Sequence, residues 1–236
     1  MTRNYVAFDL EIAKELFDFE QEWRSNRPLG ITCAAALPCD SKQVITWCGG
    51  KDDGSPADKM SLAEVKEVLR ELWRFVENGY TLLTWNGLGF DFNILAEESG
   101  LHEVCKKLAL DHVDMMFHVF RDRGYPVALD KAARGSGIPG KPRGMSGALA
   151  PRLWANGRHR EVLEYVASDV STTLRLALLC EGIRQLKWIT RRGGTASMNL
   201  PHGWLTVRDA LQLPDPDTSW MDDPIPQEEF TAWLRL

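Results

Sequence analysis

The run Tyr5-Val6-Ala7-Phe8-Asp9-Leu10-Glu11-Ile12 constrains the fold of this chain more than any other stretch. Tyr, Val, Phe and Ile favour strands, and the run is too short and too β-rich for a convincing helix. Side chains alternate along a strand, so Asp9 and Glu11 leave one face while Phe8, Leu10 and Ile12 leave the other. The apolar face needs a core. The acidic face needs a cation, because two like charges side by side in an apolar strand repel and are costly to desolvate. A hard divalent ion such as Mg²⁺, held by oxygen ligands, meets that need. A solvated edge strand with two ordinary acids meets it as well, so the triplet alone does not decide.

A chain of 236 residues suffices for one generous domain, or one domain with an extension. Hydrophobic residues at 44% and charged residues at 26% describe a globular protein. No segment reaches the ~18 uninterrupted apolar residues of a membrane span. Met1-Thr2-Arg3-Asn4 runs straight into the strand without the apolar core of a signal peptide. The cysteines (Cys33, Cys39, Cys48, Cys105, Cys180) are odd in number and include no C-x-x-C pair. That pattern points away from a disulfide framework or a structural zinc site and toward a reducing cytoplasm.

Net charge is −5, which does not suggest a protein that coats nucleic acid electrostatically. The distribution is uneven, however. Lys131 to Arg160 holds seven Lys or Arg and no acid, whereas Asp209 to Glu229 holds seven acids and no Lys or Arg. A local basic surface of this kind can grip a phosphate backbone while the rest stays acidic. A solvated basic loop region is the plainer alternative.

The remaining elements follow from pattern. Gly30 to Leu37 reads as a buried second strand and Val44 to Cys48 as a third, with a hairpin-sized polar link between them. Ser61 to Glu77 is the clearest helix: Ser61 and Glu64 form a capping box, and Leu62, Val65, Val68, Leu69, Leu72 and Val76 recur at helical spacing. Asn78-Gly79 ends it. Tyr80 to Trp85 is a fourth strand, leading through Asn86-Gly87-Leu88-Gly89-Phe90-Asp91 into a helix to about Ser99. Helical patterns follow near 101–110, 114–120 and 128–134, and a long helix runs from about Arg158 to Gln185. Lys187 to Gly194 reads as a short strand and turn. Strand-strand-strand-helix-strand-helix implies an antiparallel meander plus a parallel strand reached by a crossover. The expected architecture is therefore an α/β mixed sheet with helices on both faces. Residues 1–186 would form the domain and 187–236 an extension packed on it.

Three places carry chemistry. Asp9 and Glu11 share a strand face. Asp91 lies just past the fourth strand, where ligand sites gather in such sheets. Tyr165 and Asp169 are spaced i, i+4 and lie on one face of the long helix. Four carboxylates converging on one point require about two divalent cations, the device that clamps the attacking and leaving oxygens in phosphodiester hydrolysis.

Phe8-Asp9-Leu10-Glu11, Asn86 to Asp91 and Tyr165-Val166-Ala167-Ser168-Asp169 resemble the three exonuclease motifs of the DEDD superfamily, tyrosine subtype. The pattern looks most like the proofreading-type exonucleases related to family-B DNA polymerases, which have a ribonuclease H-like fold. The loop Gly137 to Lys141 and the long helix resemble that branch too, so the similarity covers about residues 4–185. It implies a 3′–5′ exonuclease that releases nucleoside 5′-monophosphates from single-stranded ends, with DNA the favoured polymer and RNA the alternative. It implies Asp9, Glu11, Asp91 and Asp169 as ligands of two divalent ions, Mg²⁺ or Mn²⁺. Tyr165 would position the attacking water. Its unperturbed pKa near 10 makes it a poor general base. Asn86 and Phe90 would line the terminal nucleotide, Leu10 would wedge against the last base, and Arg134, Lys141 and Arg143 would grip phosphates.

Val166-Ala167 departs from the branch, which often has a Cys or another polar residue there. The sequence contains no polymerase domain, so proofreading within the same chain is not expected. A reading of another class is a catalytically silent nucleic-acid-binding or assembly module, since fold does not fix function. Its mark would be an acid lost to Asn or Ala, and all the acids are present. Asp114, His112, His118, Trp85 and Trp154 read as capping, packing or core residues. Trp204, Trp220 and Trp233 read as packing for the extension or as a partner surface.

Overall fold

A computed structural model of the chain describes residues 3–16, 23–140 and 147–235. The expected loop residues Lys141 and Arg143, and part of the stretch between the first two strands, lie outside these.

A five-stranded sheet in the order β3-β2-β1-β4-β5 organises the fold. Its strands are β1 (Tyr5–Ile12), β2 (Ile31–Pro38), β3 (Ile45–Cys48), β4 (Thr81–Thr84) and β5 (Val113–Asp114). β1 to β3 form the antiparallel meander, and β4 and β5 pair parallel. β1 is thus the central strand, not an edge. The two-residue β5 has no sequence signature of its own. The helical pattern near 114–120 overlaps its second residue.

Both faces are covered, so β2 is buried along its whole length. Phe8, Leu10 and Ile12 point into one core with α1 (Leu62–Glu77) and α2 (Asp91–Ser99). Tyr5 and Ala7 point into the other, with Val162, Val166, Val170 and Leu174 of the long helix. Burial on both sides of β1 leaves Asp9 and Glu11 in the layer that the long helix covers.

The capping box at Ser61 and Glu64 forms as expected, and Val65, Val68, Leu69 and Leu72 of α1 are buried. Leu62 and Val76, in the first and last turns of the helix, share the helical spacing but are exposed. α3 (His102–Asp111), α4 (Met115–Arg123), α5 (Leu129–Gly135), α6 (Ala150–Ala155) and α7 (His159–Ile183) complete the helices up to residue 183. Leu178 of α7 also points outward.

Beyond α7, β6 (Gln185–Ile189) and β7 (Thr195–Asn199) form a hairpin, whose second strand the sequence did not announce. Two short helices follow, α8 (Val207–Ala210) and α9 (Glu228–Thr231). This segment is fastened to the body through α3 to α5. The Val207 amide donates to the His112 carbonyl at 2.9 Å, and Arg121 donates to the carbonyls of Ala210 and Leu213. Trp204 is fully buried and donates its indole N–H to Ala177 of α7. Of the three tail tryptophans, Trp204 and Trp233 pack inside and Trp220 is exposed.

His118 lies under this segment, with Trp204 edge-on and the Leu205 amide donating to its Nδ1. Burial lowers the pKa of both His118 and His112 to about 4, so the fold requires them neutral. A depressed histidine pKa gives stability that is complete above the unfolded value near 6.5 and is lost as pH falls toward 4. By this linkage each histidine accounts for a loss of about 3 kcal/mol across that pH range. Urea unfolding of wild type and His118→Gln should show wild type losing more stability between pH 6.5 and 4. Parallel losses in the two proteins would contradict the assignment.

Candidate active site

Asp91 is placed by the way β4 ends. β4 pairs with β1 only from Tyr5 to Ala7 and stops at Thr84. Among the described residues, no strand lies beside the β1 edge beyond. The turn after β4 brings in the first residue of α2, and Asp91 Oδ1 accepts the Leu10 amide at 3.0 Å. An acid at a helix N-terminus is also favoured by the helix dipole. Asp91 is thereby fixed beside the residue between Asp9 and Glu11, and a side-chain hydrogen bond joins it to Asp9.

The turn from Asn86 to Phe90 is held by groups outside the three motifs. Asp114, 1% exposed, accepts from the amides of Asn86 and Leu88 at 2.9 Å each and from Phe117 at 3.0 Å. It caps α4 as the sequence suggests, and it also clamps the turn. Thr84 Oγ1 accepts the Gly87 amide at 3.0 Å and lies 2.9 Å from His112 Nε2. His112 Nδ1 lies 2.6 Å from the Ala109 carbonyl, which has no proton to give, so Nδ1 carries the hydrogen. Nε2 then accepts from the threonine hydroxyl. The chain Gly87 N–H, Thr84 O–H, His112 is complete only with a neutral imidazole. Gly87 is required by proximity, since a Cβ there would sit 2.4 Å from Thr84 Oγ1. Asn86 takes a positive φ of 76°.

The third element is α7. Tyr165 and Asp169 lie on the same buried stripe as Val162, Val166 and Val170, which packs on β1 and β2. A hydrogen bond joins their side chains. Burial first, then the negative charges of Asp169, Glu11 and Asp9, push the tyrosine pKa far above its ordinary value. Tyr165 therefore keeps its proton. Asp91 is raised to about 7 by burial and then by the charge of Asp114, opposed by the Leu10 amide. Burial, followed by the charge of Glu11, also pushes the Cys33 thiol up. Cys33 stands opposite Glu11 in the β1–β2 register and is held protonated.

Asp9 links two sets of residues: it shares a side-chain hydrogen bond with Asp91 of α2, and its charge, with those of Glu11 and Asp169, acts on Tyr165 of α7. The donors are all carboxylate oxygens, the chemistry of a hard divalent ion. In this arrangement no three His, Cys, Asp or Glu side chains among the described residues form a metal-holding group. The donor types fit the ions, and the spacing shown is that of carboxylates sharing hydrogen bonds.

The other expected residues separate. Phe90 is half-buried, with Trp23 edge-on at 5.5 Å, and Asn86 Oδ1 is buried without a hydrogen-bond partner. Both belong to the turn that carries Asp91. The Leu10 side chain does not face the acids. It is 2% exposed in the opposite core, so the expected wedge against a base is corrected: what Leu10 brings to the site is its amide. Arg134 is exposed and ion-paired with Asp130 at 3.0 Å. Sequence reasoning missed the clamping by Asp114 and the Thr84–His112 pair. The available signal was polar residues set in the apolar runs 81–85 and 112–117.

A profile of the RNase H superfamily matches residues 16–179, most of the chain. The chain belongs to the RNase H superfamily, in agreement with its mixed sheet and helical layers. Membership supports a nucleic-acid-processing hydrolase that takes nucleic acid as substrate and divalent metal ions as cofactor. The match begins after β1, so Asp9 and Glu11 precede it. No curated protein matches the chain.

Asp114→Ala leaves three amide donors without their acceptor. A loss of about 2–4 kcal/mol in denaturant unfolding is expected. An unchanged midpoint would show that the turn does not depend on this carboxylate.

Proposed function

We propose that the chain is a metal-dependent 3′–5′ exonuclease. It would hydrolyse phosphodiester bonds at single-stranded 3′ ends, with DNA favoured, and release nucleoside 5′-monophosphates. The observation that supports this reading is that Asp9 on β1 shares a hydrogen bond with Asp91 of α2 and, with Glu11 and Asp169, acts electrostatically on Tyr165 of α7. The resemblance of those same residues to the DEDD motifs supplies the direction and the product. Five free cysteines fit the reducing cytoplasm in which we place the protein.

Asp9, Glu11, Asp91 and Asp169 would hold two divalent ions, Mg²⁺ or Mn²⁺. Bound there, the ions supply the positive charge that activates water and steadies the leaving oxygen. The protein's own groups do the rest. The Leu10 amide and the clamped turn fix the backbone that carries Asp91, while the hydrogen bond between Asp91 and Asp9 would give way as the ions bind. Tyr165 keeps its proton and orients the attacking water by hydrogen bonding instead of accepting a proton from it. The half-buried Phe90, walled by Trp23, offers an aromatic edge to the terminal base.

Digestion of 5′-labelled DNA and RNA oligomers of equal sequence, with Mg²⁺ or Mn²⁺ and then with EDTA, tests the reading. A metal-dependent ladder shortening from the 3′ end is expected, faster on DNA. Asp9→Ala should lower turnover on the order of 10³-fold or more. Faster loss of RNA would make the chain an exoribonuclease. No cleavage of either polymer, with binding retained, would point to a silent binding module.

Tyr165→Phe separates positioning from base catalysis. It should lower kcat about ten- to hundredfold and leave the shape of the pH–rate profile between pH 7 and 10 unchanged. An alkaline limb present in wild type and absent from the variant would contradict the positioning role.

A further inference from the structure

The contacts of the last described residues converge on one place. Trp233, 6% exposed, donates its indole N–H to the Leu88 carbonyl at 2.8 Å, across 145 residues of sequence. Phe230 of α9 packs on Gly89 so closely that a Cβ there would meet its ring at 2.9 Å. The same ring lies 4.6 Å from Phe120 and 5.9 Å from Phe117, both on α4. Glu229, next to Phe230 in sequence, accepts from Arg24 through its carboxylate and its carbonyl, each at 2.8 Å. The Arg24 guanidinium lies 4.3 Å over Trp23, whose ring stands against Phe90. The tail therefore reaches residues 88, 89 and, through Arg24 and Trp23, 90. These immediately precede Asp91.

We propose that residues 228–235 are a positioning clamp for the turn that presents Asp91, with Trp233 and Phe230 as its positioning residues. Asp114 and Thr84 hold the amides of the turn from beneath. Trp233 holds its Leu88 carbonyl, and Phe230 fills the space that Gly89 leaves. A buried carbonyl without its donor would draw in water or shift the turn. Asp91 directly follows Phe90 and is tied to the Leu10 amide, so a shift of the turn is felt at Asp91 and its partner Asp9. Displacement of a reacting group by about 1 Å can cost on the order of 10²-fold in rate.

The inference rests on the nuclease reading for its kinetic arm and has a second arm that does not. Trp233→Phe keeps the ring packing and removes the donor. Trp204→Phe is the control, since Trp204 is as buried and donates to Ala177, away from the turn. Trp233→Phe should lower kcat on a single-stranded DNA oligomer about tenfold with KM within about twofold. Trp204→Phe, at a similar loss of thermal stability, should leave kcat unchanged. Hydrogen–deuterium exchange should be faster at residues 86–92 in Trp233→Phe and unchanged there in Trp204→Phe. If Trp233→Phe does not fold, Phe230→Leu thins the packing on Gly89 and is expected to give the same pattern. Equal kcat and equal exchange at residues 86–92 in wild type and Trp233→Phe would overturn the proposal. If the wild type cleaves nothing, the nuclease reading fails by itself, and exchange alone decides the clamp.

Discussion

The hydrogen bond from the Leu10 amide to Asp91 is the contact on which the arrangement depends. It joins the middle of the central strand to the first turn of α2, at the place where β4 has already ended. It is a buried bond, and a buried amide left without an acceptor is costly. It also decides where the carboxylates stand. Asp91 could not sit beside Asp9 if β4 ran on, because a strand would take that amide instead.

Everything around this bond keeps the turn before Asp91 in one conformation. Asp114 takes its amides, Thr84 and His112 close the Gly87 side, and the two glycines admit neighbours that a Cβ would exclude. The price is a buried acid and a buried imidazole, both removed from water. Asp114 has a raised pKa and survives by accepting several amides, and His112 must stay neutral. The other half of the site needs less support. Tyr165 and Asp169 ride on α7, whose valine stripe already binds it to the sheet. The site therefore joins a rigid helical half to a turn that must be held from several sides.

Much of this was legible in the sequence. Alternation in residues 5–12 separated acids from core, and the capping box placed α1 to the residue. The i, i+4 pair in the long helix was readable because helix geometry is local. What was not legible is long-range. β5 is two residues long and pairs only because β4 lies beside it, so no local pattern marks it. The second strand of the 185–199 hairpin, Thr-Ala-Ser-Met-Asn, is polar and mostly solvent-facing, so alternation failed. Leu10 was assigned a role by resemblance, but its side chain obeys the strand pleat and turns into the core. The bond of Trp233 to Leu88 spans the chain and has no sequence signature at either end.

The proposed function requires that the carboxylates of β1, α2 and α7 act as one cation-binding unit. Anomalous diffraction at the manganese edge from crystals grown with Mn²⁺ tests it most directly. The account predicts two anomalous peaks bounded by Asp9, Glu11, Asp91 and Asp169, with the Leu10–Asp91 bond intact. Ordered carboxylates with no peak among them, in crystals saturated with Mn²⁺, would contradict it.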